Sequence, residues 1–175
     1  MARNIEIKAR IENHQALAAK VAKIADQAPL VVVQNDTFFT CTNGRMKLRI
    51  ISDTEGELIF YLREDKAGPK ESSYEIYLTS APNMLREILS LGYGIIGCVS
   101  KRRTIFMAGR TRIHLDDVDG LGHFLELEVL LADGEPSEAG SDVANNLLKM
   151  LGIPHDKLVE GSYLDLLNSK NPNIL

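Results

Sequence analysis

NIEIKAR (residues 4–10) alternates with a period of two: Ile5, Ile7 and Ala9, continued by Ile11, are apolar, while Asn4, Glu6, Lys8, Arg10 and Glu12 are polar. A strand sends successive side chains to opposite faces, so this spacing predicts a β-strand with one buried face and one charged face. In most antiparallel sheets the charged face looks at water. Whether it does so here decides the architecture, and other strands bear on the answer.

The pattern recurs. RMKLRI (45–50) sets Lys47 and Arg49 against Met46, Leu48 and Ile50, and TRIHLDD (111–117) sets Arg112, His114 and Asp116 against Ile113 and Leu115. FLELEVLL (124–131) sets Glu126 and Glu128 against Leu125, Leu127, Val129 and Leu131; Arg63 ends IFYLR, Glu75 lies in SYEIY, and Lys101 and Arg103 belong to VSKRRTIF. An exposed sheet face usually mixes in Ser, Thr and Gln, whereas here long charged side chains recur two residues apart. The apolar faces need a cover, which amphipathic helices can supply from outside. The charged faces then meet either solvent or one another around a closed barrel. Burying so many ions would cost several kcal/mol each unless opposite charges, water or a ligand compensated. Basic groups suit a polyphosphate, carboxylates suit divalent cations, and both together suit a metal-bound triphosphate.

The whole chain frames this reading. Its 175 residues, 45% hydrophobic and 25% charged, suit one domain with a real core. A net charge of −4 argues against a nucleic-acid polymer as partner, since such binders carry a clustered basic excess. Cys41 and Cys98 belong to no CxxC pair, so reduced thiols and a cytoplasmic location are expected. Arg3, Glu6, Lys8 and Arg10 stand where a signal peptide needs an apolar run, and no window approaches about 18 uninterrupted apolar residues. No membrane association is expected.

Helices are predicted over 14–27, ended by Pro29; over 83–92, between Pro82 and Gly92; over 137–152; and over 163–167. Strands are predicted over 4–10, 30–41, 45–50, around GELIFYLRED, and over 73–79, 99–108, 111–118 and 123–131, with a hairpin turn at 42–44 and a polar loop at 64–73. About eight strands in hairpin pairs with few helices between them give an α+β fold built on an antiparallel sheet or barrel. GYGIIG (92–97) matches GxGxxG, yet a helix precedes it and a strand follows, the reverse of a dinucleotide fingerprint. His114, alone in a strand, reads as a structural or hydrogen-bonding residue.

Taken in order, NIEIKAR, QNDTFF, GRMKLRI, FYLRED, SSYEIY, VSKRRTIF, HLDDVDGLGHFLELEV and the closing YLDLL resemble the CYTH family. That family is named for class IV adenylyl cyclase and thiamine triphosphatase, and is also called the triphosphate tunnel metalloenzymes. The resemblance implies a single domain over 1–169 with a tail at 170–175, folded as a closed antiparallel eight-stranded barrel with helices outside. It implies a metal-dependent enzyme, using Mg²⁺ or Mn²⁺, that acts on a small molecule bearing a triphosphate, such as ATP or tripolyphosphate. The reaction is either cyclisation of ATP to cyclic AMP and pyrophosphate or triphosphate hydrolysis.

Carried over residue by residue, Glu6 and Lys8 are the catalytic candidates, and Lys47, Arg49, Arg63, Lys101 and Arg103 join Lys8 as the phosphate clamp. Glu6, Glu126 and Glu128 are the metal carboxylates, with Asp116 and Glu75 as further ligands or water-holders. The family's ExExK motif here reads Asn4, Glu6, Lys8, so the site loses one negative charge at its first acid. That loss favours the alternative of a non-catalytic module that binds polyphosphate or a nucleotide. The resemblance also leaves room for a homodimer.

Overall fold

The computed structural model describes residues 1–170. Its strands are β1 (Ala2–Arg10), β2 (Leu30–Phe39), β3 (Arg45–Ser52), β4 (Glu55–Arg63), β5 (Lys70–Thr79), β6 (Ile95–Ala108), β7 (Thr111–Val118) and β8 (Gly122–Leu130). They pair antiparallel in a closed ring, β1-β5-β4-β3-β2-β6-β7-β8. β1 closes it, pairing with β5 on one side and β8 on the other, so that Asn4 faces both Ser72 and Leu130. Helices α1 (His14–Val21), α2 (Pro82–Tyr93), α3 (Ser137–Leu151) and α4 (Tyr163–Lys170), with a 3₁₀ turn at His155–Lys157, pack around this ring. The expected α+β barrel with external helices is the fold observed.

Closure settles which way the charged faces look. Asn4, Glu6 and Lys8 line the lumen, while Ile5 and Ile7 point outward into a core shared with Leu17 and Val21 of α1 and Ala144, Leu148 and Leu151 of α3. The layering is inverted: the apolar core lies outside the barrel wall and the charges lie within it. On α3, Ala144, Leu148 and Leu151 fall on one stripe of the helix, and burying each leucine contributes roughly 1.5–3 kcal/mol. Gly140, one turn earlier, lets α3 lie directly on β1; a Cβ there would stand 2.6 Å from Ile5 Cγ1 and 2.7 Å from Leu131 Cδ2. Helix α2 covers a second apolar patch, where Leu89 meets Phe39 and Leu48.

Helix α4 crosses one end of the barrel. Asp165 accepts from Arg45 at the start of β3 (2.7 Å), and Lys170 donates to the Gly120 carbonyl in the β7–β8 turn (2.8 Å). These anchors are about half-way round the ring from each other. Beneath the helix, Tyr163 and Leu164 pack on Phe38, Val99, Val118 and Phe124. That end is shut. At the other end, where β2 begins and β6 finishes, Leu30, Ile51, Ile76 and Met107 form the rim of an open mouth.

Several boundaries differ from expectation. Helix α1 ends at Val21 and passes into turns instead of running to residue 27. Helix α2 ends at Tyr93, capped by Gly94 at φ +76° in place of Gly92, and β6 starts four residues early at Ile95. GYGIIG therefore joins a helix to a strand, as expected. β5 starts at Lys70, which shortens the polar loop, and α4 extends to Lys170; the rest of the expected tail, 171–175, lies outside the described residues. Among the described residues no helix is long and apolar enough to cross a membrane.

Candidate active site

The lumen is a cavity of about 560 Å³ walled by seven cations, Lys8, Lys47, Arg49, Arg63, Lys101, Arg103 and Arg112, and five carboxylates, Glu6, Asp36, Glu57, Glu126 and Glu128. The chain as a whole carries −4, so the wall is a local positive field inside a negative protein, an arrangement that focuses anions. Strand register brings these groups together. Glu6 stands opposite Glu128 and Lys8 opposite Glu126 across β1–β8; His114 stands opposite Glu126 and Arg112 opposite Glu128 across β7–β8; Asp36 stands opposite Arg49 across β2–β3.

Asp36 organises the basic side. At 2% exposure it accepts from Lys47 (3.0 Å), Lys101 (2.9 Å) and both Nε and a terminal nitrogen of Arg49 (2.8 and 3.1 Å). Burial alone would raise its pKa, but Lys47, Lys101 and Arg49 pull it well below the carboxylate range. Three cations on one carboxylate leave an excess of positive charge facing the cavity. Burial drives Lys101 down to about 7, with Arg103, Lys47 and Arg49 adding to that and Asp36 opposing it. Arg63 donates to Glu6 at 2.8 Å. Lys8, 3% exposed, donates to the Gly161 carbonyl (3.3 Å), stands 3.6 Å from Glu126 and lies 4.1 Å from the centre of the Tyr163 ring. Lys8, Lys47, Lys101 and Arg63 thus gather toward the shut end.

The acidic side is built on β7 and β8. Ligand atoms of His114, Glu126 and Glu128 lie within 4.8 Å of one another. Two carboxylates and an imidazole nitrogen match a divalent cation in charge and donor type. Burial opposes ionisation of Glu126, and Lys8 and Arg103 overcome it, holding the group well below the ordinary range. Arg103 forks onto Asp116 through Nε and a terminal nitrogen (2.7 and 2.6 Å) and also reaches Glu126. Tyr163 donates its hydroxyl to Asp116 at 2.8 Å.

The structure brings Glu6, Lys8, Lys47, Arg49, Arg63, Lys101, Arg103, Glu126 and Glu128 to one cavity. Two expected ligands are corrected. Glu75 points outward, its side chain 64% exposed and paired with the N-terminal amine at 2.9 Å, because on this half of β5 the lumen-facing residues are Tyr74 and Ile76. Asp116 is fully buried, but its oxygens are taken by Arg103 and Tyr163 and it does not line the cavity. It holds Arg103 by a two-pronged ion pair. Sequence reasoning gave no site role to Asp36, Arg112 or Tyr163 and set His114 aside as structural. Asp36 had one usable signal: it stands on the same parity of QNDTFF as Gln34 and Phe38, which also face the lumen.

The CYTH domain family model matches residues 2–163. The chain belongs to the CYTH family. It is 25% identical over 169 residues to the "Putative adenylate cyclase" of Methanocaldococcus jannaschii, covering 93% of this chain and 97% of that one. Among solved structures, the CYTH barrel described here is similar to the PH1012 protein of Pyrococcus horikoshii, with a TM-score of 0.83, 22% identity and coverage of 94% and 99%. It is also similar to a Hippeastrum "Putative adenylyl cyclase" described as having a dominant triphosphatase activity, with a TM-score of 0.66, 14% identity and coverage of 97% and 96%. The last two establish the likeness of fold.

Proposed function

We propose that the protein is a metal-dependent enzyme that processes an organic triphosphate, bound with its phosphates toward the shut end of the tunnel. The observation that carries this reading is the axial order of the wall. Lys8, Lys47, Lys101 and Arg63 are deep, His114, Glu126 and Glu128 flank them, and Leu30, Ile51, Ile76 and Met107 rim the mouth. A polyphosphate alone has no use for an apolar rim. A triphosphate with a ring system at one end matches all three zones.

In this reading Lys47, Arg49 and Lys101 neutralise the phosphate oxygens, and Arg63 and Lys8 stabilise charge on the group being transferred. Glu126 and Glu128 hold the cation, with Glu6 as the neighbouring carboxylate across the ladder; Mg²⁺ or Mn²⁺ supplies Lewis-acid polarisation of a phosphoryl oxygen. Two reactions share the site. Attack by the ribose 3′-hydroxyl on the α-phosphorus forms one P–O bond, breaks the α–β bridge and releases pyrophosphate. Attack by water on the terminal phosphorus releases phosphate. The relatives named as adenylate cyclase and described as triphosphatase support both.

The test is product analysis. Purified protein incubated with ATP or tripolyphosphate and Mg²⁺ or Mn²⁺ is expected to yield cyclic AMP with pyrophosphate, or phosphate, with ATP the better substrate. A faster reaction on tripolyphosphate would contradict the organic substrate. A non-catalytic nucleotide binder is favoured by one feature: buried Asn4 offers an unpaired carbonyl oxygen where the family's motif has an acid. Tight ATP binding with neither product formed selects that reading.

A further inference from the structure

We infer that His114 is itself a ligand of the cation, which makes the centre a mixed nitrogen–oxygen one that prefers a transition ion to Mg²⁺. The inference rests on the reading above that this tunnel works with a divalent cation, and it concerns which ion and which third ligand.

The imidazole of His114 is 3% exposed, and its Nδ1 is buried with no hydrogen-bond partner. Buried polar atoms are nearly always satisfied, and an orphan in a polar cavity points to a missing partner. Nδ1 lies 3.6 Å from Glu128 Oε1 and 4.0 Å from Glu126 Oε2, an oxygen that also accepts from Arg103. Both separations are too long for hydrogen bonds. They suit three donors around one ion, because metal–ligand bonds of about 2.0–2.2 Å place neighbouring donors roughly 3–4 Å apart.

Two neighbouring positions explain why a histidine is needed here. Asn4 brings no charge, and the Asp116 carboxylate is occupied by Arg103 and Tyr163. With both withdrawn, Glu126 and Glu128 offset the charge of one divalent ion and His114 supplies a further donor without adding charge. The substitution has a chemical consequence. Mg²⁺ is hard and binds oxygen and water, whereas imidazole raises affinity for later first-row ions in the order Mn²⁺, Fe²⁺, Co²⁺.

The experiment uses tag-free full-length protein and metal alone, without any triphosphate. Calorimetric titration is expected to give Co²⁺ an affinity at least about tenfold above that of Mg²⁺. Pulsed electron paramagnetic resonance of the Mn²⁺ complex is expected to show coupling to ¹⁴N, converted to ¹⁵N coupling when only histidine is ¹⁵N-labelled. His114→Gln should lose the nitrogen coupling and weaken Co²⁺ by roughly tenfold or more, leaving Mg²⁺ within about twofold. The labelled wild-type spectrum needs no variant, so poor folding of His114→Gln does not blunt the test. Mn²⁺ with only oxygen ligands, or nitrogen coupling that persists in His114→Gln, would overturn the inference. Mg²⁺-driven turnover of ATP without nitrogen coupling would overturn it while leaving the proposed function intact. Nitrogen coupling without turnover would do the reverse.

Discussion

Under the proposed function, Lys101 is expected to make phosphate binding sensitive to pH. Its pKa of about 7 in the fold lies far below the 10.5 of an unperturbed lysine. Between those values the unfolded chain holds a proton that the folded chain lacks, so Lys101 adds to stability as pH rises across that window, and the gain is lost as pH falls through about 7. A phosphate beside the ammonium reverses the balance by favouring the charged form. Binding of tripolyphosphate at pH 8 is therefore expected to draw in a proton at Lys101, and affinity to fall as pH rises above 7. Calorimetry in buffers of different ionisation heat measures this. Wild type should take up more protons than Lys101→Met, the difference approaching about one, and equal uptake would count against the assignment. Lys101 was legible in VSKRRTIF because two basic residues share one parity. Its partner Asp36 was not, because a lone acid between Asn and Thr in QNDTFF has no charged neighbour two residues away. Glu75 misled for a physical reason: the lumen parity of β5 is Ser72, Tyr74 and Ile76, and a charge on the other parity faces solvent.

At the scale of elements, period-two alternation marked β1, β3, β7 and β8, while turn residues and strand-forming composition marked the other four. Ends were less legible. Whether α2 stops at Gly92 or Gly94 depends on which glycine takes positive φ, and either can. The seat of α3 on β1 was invisible too, because it depends on the absence of a side chain at Gly140. Adding one there forces Ile5 or Leu131 to move, and Ile5 is only 1% exposed. Gly140→Ala is expected to destabilise the protein by about 1–3 kcal/mol through overpacking, despite alanine's better helix propensity. Urea unfolding with an unchanged slope and a lower midpoint would register it. An unchanged midpoint would mean that α3 sits more loosely than its geometry indicates.

For the molecule as a whole, the shared charged parity of several strands left open whether those faces met solvent or one another; the family resemblance implied the closed barrel that is observed, and neither announced the barrel's asymmetry. Nothing in YLDLL announces that Asp165 and Lys170 tie α4 to strands half-way round the ring, since both ties are long-range and polar. That cross-piece turns a pipe into a flask. Among the described residues, traffic must then pass one neck in file, and whatever travels deepest departs last. Under the proposed function, a nucleotide that enters tail-first would leave its detached pyrophosphate or phosphate behind the nucleoside fragment, so the fragment is expected to exit before the inorganic piece. Initial-rate measurements should find the inorganic product competitive with substrate and the organic product not. The opposite pattern would reveal a back door beneath α4, through which small anions escape while the neck is still corked.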